Sequence, residues 1–154
     1  MKKIFLLTTL FTIICFYVNA QSEKIDQPTY KTGIGFKFSP FGISFKSNAT
    51  YSKKSIEILA YLNDGFTGAF LYEWNFILNS PKNLRAYVGG GGNVGFKNEK
   101  AGGGAVLGAG GVLGLDYKFL HLPLNLSLDW QPTFQFGKTD DFNGWGGLAV
   151  RFTL

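Results

Sequence analysis

The longest regular pattern in this chain is an alternation of apolar and polar residues over positions 123–136. The even positions are Leu, Leu, Leu, Trp, Pro, Phe and Phe, and the odd positions after Pro123 are all polar. Successive side chains of a β-strand point to opposite faces, so this segment predicts a strand with one apolar and one polar face. It is about twice the usual length of a strand in a soluble domain, and such a length is typical of a transmembrane β-barrel.

The same period-two alternation predicts eight strands between Tyr30 and the C-terminus, with no helical period among them. The predicted strands are residues 30–38, 41–49, 55–62, 66–78, 84–96, 105–119, 123–136 and 144–154. Polar segments separate them, and Asn63-Asp64-Gly65 is a strong signal for a tight turn. An even number of strands in a meander favours an all-β, eight-stranded antiparallel up-and-down barrel, because closure removes exposed strand edges.

The charged residues of the predicted strands share one face. Eight of them lie on the parity opposite to the apolar one: Lys37, Lys46, Glu57, Glu73, Arg85, Asp116, Asp129 and Arg151. Lysine or arginine on the lipid face at mid-bilayer costs about 2–4 kcal/mol, which accounts for their exclusion from the apolar face. Four of the eight are cations and four are anions, so we expect a neutral, packed ion-pair network inside the barrel and no open pore.

Glycines and aromatic residues refine this picture. An eight-stranded barrel is just wide enough for side chains to fill its interior. Inward glycines are expected to make room for the long charged side chains: Gly33, Gly35, Gly89, Gly91, Gly95, Gly108, Gly110, Gly114 and Gly147. Aromatic girdles are expected at both membrane interfaces, with Tyr30, Phe76, Tyr117, Phe119 and Phe152 at one and Phe38, Phe41, Phe66, Phe96, Phe136 and Trp145 at the other.

The N-terminal segment has the features of an export signal. Lys2 and Lys3 precede an apolar run over residues 4–18, and cleavage is expected after Ala20. The predicted organisation is a signal peptide at 1–20, a periplasmic lead at 21–29 and an outer-membrane barrel at 30–154. With the N-terminus in the periplasm, the loops 97–104 and 137–143 are expected to face outside. Loss of the two lysines lowers the formal charge from +5 to +3, too little to indicate a nucleic-acid partner.

Motifs that suggest chemistry are weak in this chain. Residues 90–95 match the letters of a dinucleotide fingerprint, but no helix is predicted after them to hold a pyrophosphate. His121 is the only histidine and falls in a predicted periplasmic turn. Asp140-Asp141 in an outer loop is expected to be solvated, and a catalytic pair formed by Glu73 and Asp129 is disfavoured by the surrounding counter-ions. We therefore expect no catalytic residue, no metal and no cofactor.

The C-terminal residues resemble a known assembly signal. Leu148-Ala149-Val150-Arg151-Phe152-Thr153-Leu154 resembles the signal by which outer-membrane proteins are recognised by the barrel-assembly machinery, although it ends in Leu154 with Phe152 two residues before. Leu71-Tyr72-Glu73-Trp74-Asn75, Gly114-Leu115-Asp116-Tyr117 and residues 123–130 resemble a family of small Gram-negative outer-membrane β-barrel proteins. The resemblance implies an eight-stranded fold similar to the OmpA membrane domain and OmpX, and it implies no catalytic residues.

The leading hypothesis is a monomeric outer-membrane barrel with a structural or interaction role. Its expected partners are outer-membrane lipid and lipopolysaccharide, periplasmic chaperones and the barrel-assembly machinery. The alternatives are a narrow outer-membrane pore, a lipid-modifying outer-membrane enzyme, and a secreted lipocalin-like carrier of a small ligand. The carrier hypothesis would expose Leu128 and Trp130 to water, which is an aggregation hazard.

Overall fold

The computed structural model describes residues 30–49, 53–62, 65–78, 83–98, 103–136 and 141–154. The predicted signal peptide, its cleavage site after Ala20 and the predicted lead at 21–29 lie outside the described residues. The same holds for the tips of several predicted turns and for Asp140. No helix in the described ranges is long and apolar enough to cross a membrane.

Eight antiparallel strands form one closed barrel, which confirms the predicted all-β, eight-stranded fold. Each strand pairs with the next one along the chain, and β1 also pairs with β8 over six residue pairs, which closes the sheet into a barrel. The strands are β1 (Thr32–Phe38), β2 (Gly42–Asn48), β3 (Lys54–Tyr61), β4 (Gly65–Ile77), β5 (Leu84–Lys97), β6 (Gly104–Lys118), β7 (Leu124–Phe136) and β8 (Asp141–Thr153). We call the end of the barrel where β1 begins the Tyr30 end, and the opposite end the Lys97 end.

Seven strands agree with the predicted bounds to within two residues, but β8 begins three residues earlier than predicted. Phe142 pairs with Phe134 of β7, and their ring centroids lie 4.9 Å apart. Asp141 and Asn143 are polar, which led to the prediction of a loop at 137–143. Pairing with the long strand β7 overrides that local signal, so the predicted outer loop is shorter.

The wall of the barrel has unequal height. β1 and β2 have 7 residues each and β3 has 8, whereas β4 to β8 have 13 to 15. At the Lys97 end, β1 and β2 therefore finish below the rim formed by the longer strands. The turn that joins them, Ser39-Pro40-Phe41, faces the barrel mouth there.

The outer face is apolar on every strand. Exposed large apolar side chains lie outward on all eight strands, for example Ile34 on β1, Phe70 on β4 and Leu128 on β7. Among the described strand residues, Lys54 is the charged residue that lies on this face, at the first position of β3. Its Nζ lies 6.0 Å from the centroid of the Tyr72 ring.

The interior is not wholly polar, which the alternation did not predict. Five buried residues form an apolar cluster inside the barrel: Leu59, Tyr61, Leu71, Tyr87 and Val112. They lie on the inward side of their strands, as the charged residues do. The alternation therefore predicts which way a side chain points, but not whether it is polar or apolar. The cluster lies beside the charged residues, and together they fill the interior.

Two aromatic residues predicted for the interface girdles lie inside the barrel. Trp145 has the inward parity of β8 and packs edge-on against Tyr61, with ring centroids 5.6 Å apart. Tyr30 is 4% exposed, and its hydroxyl donates to Asp116. Tyr30 precedes β1, so strand alternation does not determine its direction, and a buried carboxylate offers its hydroxyl a partner.

The inward glycines have two roles, of which the sequence predicted one. A Cβ added to Gly114 would lie 2.5 Å from Cζ of Tyr87, so this glycine makes room for an interior side chain as expected. A Cβ added to Gly35 would instead lie 1.9 Å from the carbonyl oxygen of Val150 on β8. Gly35 therefore allows the close approach of neighbouring backbones where the barrel closes.

Candidate functional site

All eight charged residues predicted for the interior are buried in the barrel, and none is more than 6% exposed. Each takes part in at least one ion pair. We call this set the interior charge network: Lys37, Lys46, Glu57, Glu73, Arg85, Asp116, Asp129 and Arg151. Because its four cations and four anions are paired, the network carries no net formal charge.

Arg151 bridges the lumen from β8 to β3, where its Nη2 contacts Oε1 of Glu57. Its Nε donates to Oγ of Ser44 at 2.6 Å, and its Nη1 donates to Oγ of Ser127 at 2.7 Å. Ser44 in turn donates to Glu57 at 2.7 Å. The planar guanidinium of this β8 residue thus binds side chains from β2, β3 and β7 at once, which ties four strands of the barrel together.

Lys46 lies between two carboxylates and an aromatic ring. Its Nζ is 2.6 Å from Oε2 of Glu73 and 3.6 Å from Oδ2 of Asp116. It also lies 3.8 Å from the centroid of the Tyr87 ring, a cation–π distance. Oε2 of Glu73 accepts a second bond from the Ser55 hydroxyl at 2.8 Å. Lys46 therefore connects β2 with β4, β5 and β6.

Asp116 accepts several hydrogen bonds near the Tyr30 end. Arg85 Nη2 donates to its Oδ2 at 3.1 Å, the Tyr30 hydroxyl donates to the same oxygen at 3.0 Å, and Asn125 donates to Oδ1. The Arg85 guanidinium also lies 5.1 Å from the Tyr30 ring centroid. Asp116 thus accepts hydrogen bonds from β5, from β7 and from the residue that leads into β1.

Lys37 and Asp129 form the remaining pair, with Nζ 2.6 Å from Oδ2. Lys37 belongs to β1 and Asp129 to β7, so the lysine passes over the intervening strand β8. Gly147 of β8 permits this, because a Cβ there would lie 2.6 Å from Cε of Lys37. The Tyr87 hydroxyl donates to the same Asp129 oxygen at 2.8 Å.

This arrangement is suited to holding the barrel together. Glu73 and Asp129 do not form a free carboxylate pair, because each is bound to its own lysine. The sequence identified the charged members of the network but missed its neutral ones, Ser44, Asn125 and Ser127. These share the inward parity of their strands, so the alternation that located the charges also carries the signal for them.

The other sequence motifs lie in ordinary structural positions. Residues 90–95 lie within β5, and the next element among the described residues is the strand β6. His121 is exposed in the turn between β6 and β7. Asp141 is in β8, and Asp140 is outside the described residues. Over the described ranges, no group of three or more histidine, cysteine or acidic residues is placed to hold a metal ion.

The C-terminal residues lie at the seam where the barrel closes. Phe152 is on the outer face and pairs with Ile34 of β1 and Leu124 of β7. Leu154 follows β8, and its backbone N–H donates to the Thr32 carbonyl at 2.8 Å. Comparison with protein-family models, curated proteins and solved structures finds no match for this chain.

Proposed function

We propose that this chain is a small integral β-barrel protein of the bacterial outer membrane, with a structural or interaction role and a closed interior. The observation that carries the proposal is the apolar outer face, which extends over all eight strands. On β7 alone, Leu128, Trp130 and Phe134 are each more than half exposed. Monomeric soluble proteins rarely expose a contiguous apolar patch of more than a few hundred Å², so this surface requires a covering, and lipid covers all sides of a barrel at once.

Two further features support lipid as the covering. Closure gives every strand a hydrogen-bonded neighbour on each side, which reduces the number of unpaired backbone groups that would face the hydrocarbon core of a bilayer. The outward charge of Lys54 lies at a strand end beside the Tyr72 ring, where a long side chain reaches the polar headgroups while its stem stays on apolar surface. Closure is shared with lipocalin-like carriers, whereas the position of Lys54 favours an outer-membrane barrel.

The interior supports a closed barrel over the alternative of a narrow pore. Arg151 and Glu57 are fully buried and meet across the lumen. Lys46 and Asp116 make a second contact between the opposite strands β2 and β6. Since solvent does not reach these side chains, a continuous water path would have to displace paired ions.

The location and partners follow from the sequence signals. We assign residues 1–20 to an export signal cleaved after Ala20, and Phe152 and Leu154 to an assembly signal read by the barrel-assembly machinery. The Tyr30 end then faces the periplasm and the Lys97 end faces outside. The proposed fold relatives are OmpX and the OmpA membrane domain, and the proposed partners are lipid, lipopolysaccharide and assembly chaperones. We propose that the protein is a monomer, and we assign a catalytic role to none of its residues.

Membrane fractionation and gel mobility test this proposal. Expressed with its signal, the chain should remain in outer membranes after a carbonate wash, and unboiled samples should migrate differently from boiled ones. A soluble chain with no heat-dependent mobility change would contradict the membrane assignment. In planar bilayers the purified protein should show no steady conductance, and stable open channels would favour the pore.

A further inference from the structure

The barrel is hollow at its Lys97 end. The inner wall there encloses a cavity of about 510 Å³ that opens at the rim, a volume within the range of small-ligand pockets. We call this cavity the cup. Its polar wall is formed by Thr67 of β4, Asn93 of β5, Gln135 of β7 and Asn143 of β8, and Trp145 lies at its base.

The cup exists because the inward side chains of β5 and β6 become smaller toward this end. The inward positions of β5 begin with Arg85 and Tyr87 at the Tyr30 end, whereas Gly95 precedes the rim residue Lys97 at the other end. On β6, the inward position paired with Asn93 is Gly108. A Cβ at Gly95 would lie 2.5 Å from Oγ1 of Thr67, and a Cβ at Gly108 would lie 2.6 Å from Oδ1 of Asn93. These glycines therefore both hollow the barrel and leave room for the polar groups of the cup.

The base of the cup is an ordered aromatic pair. Trp145 packs edge-on against Tyr61 at an interplanar angle of 76°, and the Tyr61 hydroxyl donates to Oε1 of Gln131 at 3.0 Å. Beneath the pair, the same three residues line a small cavity of about 10 Å³. Gln131 is 5% exposed, and its Nε2 has no hydrogen-bond partner in the part of the chain that the structure describes. An uncompensated donor thus lies directly below the aromatic base.

The chemistry of the cup selects a class of ligand. Its side-chain amides both donate and accept hydrogen bonds without carrying charge, and Thr67 adds a hydroxyl. An indole ring supplies an apolar face on which C–H groups can pack. Lys97 is the charged residue among the described lining residues, and it is exposed at the rim. A ligand that matches these groups would have many hydroxyls, apolar C–H faces and no charge. A neutral sugar has all three properties.

We propose that the cup binds a neutral saccharide of one or two rings through Trp145, Asn93 and Asn143. The cup would bind the sugar either free in solution or as the sugar part of a glycolipid, since both present the same chemistry. The inference rests on the barrel interior and does not depend on the membrane assignment. Failure of sugar binding therefore leaves the fractionation result unaffected.

Titration of the folded, full-length chain with glucose, N-acetylglucosamine, maltose and lactose tests the inference. Tryptophan fluorescence and saturation-transfer NMR should show saturable binding of at least one of these sugars. Trp145→Leu, which keeps an apolar contact with Tyr61, should weaken that binding tenfold or more, and Asn143→Ala should weaken it several-fold. Trp74→Leu is the matched control, because Trp74 lies on the outer face and should leave binding unchanged.

The outcomes are distinct. Absence of saturable binding to all four sugars by a folded chain would overturn the proposal, as would an equal loss in Trp145→Leu and Trp74→Leu. Binding of galacturonate but of none of the neutral sugars would overturn the assignment to neutral ligands. If Trp145→Leu does not fold, the loss of sugar binding in Asn93→Ala and Asn143→Ala tests the proposal in its place. Tighter binding of a glycolipid than of its free sugar would support the lipid-linked source, and weaker binding would support the free sugar.

Discussion

The interior charge network depends on individual pairs, and Lys37 is its simplest case. Its one ion pair is with Asp129, and both side chains are buried. Removing one member of a buried pair leaves an uncompensated charge, which costs about 3–5 kcal/mol. We expect Lys37→Met to lower the free energy of unfolding by this amount, as measured by urea titration of the folded barrel in lipid vesicles.

Lys31→Met is the matched control, because Lys31 is an exposed lysine at the edge of the same strand. We expect its effect to stay within about 0.5 kcal/mol. Adding Asp129→Asn to Lys37→Met removes the orphaned charge but keeps an acceptor for the Tyr87 hydroxyl, so part of the stability should return. Equal stabilities of Lys37→Met and Lys31→Met would show that the buried pair is not needed.

At the residue scale, the sequence predicts which charges lie inside but not which of them meet. Strand alternation alone places Lys37 and Asp129 on the inward face. Their contact depends on the stagger between β1 and β7 and on the space left at Gly147, and both are properties of the closed barrel. Tyr87 is a second example. Strand alternation predicts that its side chain points inward, but it does not predict that its hydroxyl donates to Asp129.

At the scale of single strands, β7 offers a direct test of what covers the outer wall. Leu128 lies near the middle of β7 and is 59% exposed. If lipid covers this position, Leu128→Arg should destabilise the barrel by about 2–4 kcal/mol. Equilibrium unfolding in lipid vesicles measures the difference in free energy from the native protein.

Leu122→Arg provides the comparison, because Leu122 is equally apolar and exposed but lies in the turn before β7. Near the interface an arginine costs about 0–1 kcal/mol, so this variant should be close to the native protein. A water-exposed wall would give the opposite result, since an arginine at position 128 would then be harmless or would improve solubility.

The seam between β1 and β8 is a second test at the scale of strands. Because a Cβ at Gly35 would lie 1.9 Å from a backbone oxygen of β8, Gly35→Ala forces the two strands apart. We expect a loss of about 1–3 kcal/mol and slower barrel closure, followed by the change in gel mobility during refolding. Gly68→Ala is the control, because its nearest non-neighbouring atom would be 4.0 Å away; unchanged refolding of both variants would contradict this role for Gly35.

Seven of the strands are predictable because period-two alternation is a local signal carried by their own residues. β8 begins earlier than predicted because its first residues pair with β7, and the contact of Phe142 with Phe134 depends on that pairing and not on the residues of β8 alone. The predicted outward direction of Trp145 fails for a related reason. Aromatic character suggested an interface residue, whereas the parity of Arg151 on the same strand places it inside.

At the scale of the whole molecule, we expect the contacts across the lumen to keep the barrel from conducting ions. Arg151 of β8 and Glu57 of β3 meet in the lumen, so replacing both by serine should leave a gap without leaving an unpaired charge. We expect Arg151→Ser/Glu57→Ser to give measurable single-channel conductance in planar bilayers while the native protein stays silent. Lys54→Ser, on the outer face, should stay silent as well. A silent double variant that folds normally would mean that other interior residues block the lumen.

The closed fold is predictable at this scale, but the cup is not. Its presence depends on the difference in height between the short strands β1 and β2 and the long strands opposite, and on small inward residues such as Gly95 and Gly108. The sequence shows these glycines on the inward face. The assembled barrel is needed to show that, among the described side chains, no long one from another strand fills the space in front of Asn93.

The unequal wall has a mechanical consequence for a surrounding bilayer. A strand of 7 residues rises about 23 Å along its axis, and a tilt of about 40° reduces this to about 18 Å along the membrane normal. The apolar band of outer-membrane barrels is about 25 Å tall, so the side formed by β1 and β2 is too short to match it. If a bilayer surrounds the barrel as proposed, lipid chains on that side would have to shorten to keep the wall covered, and the hydrophobic mismatch would be one-sided. The protein would then act as a local membrane-thinning element, with the deformation concentrated beside β1 and β2.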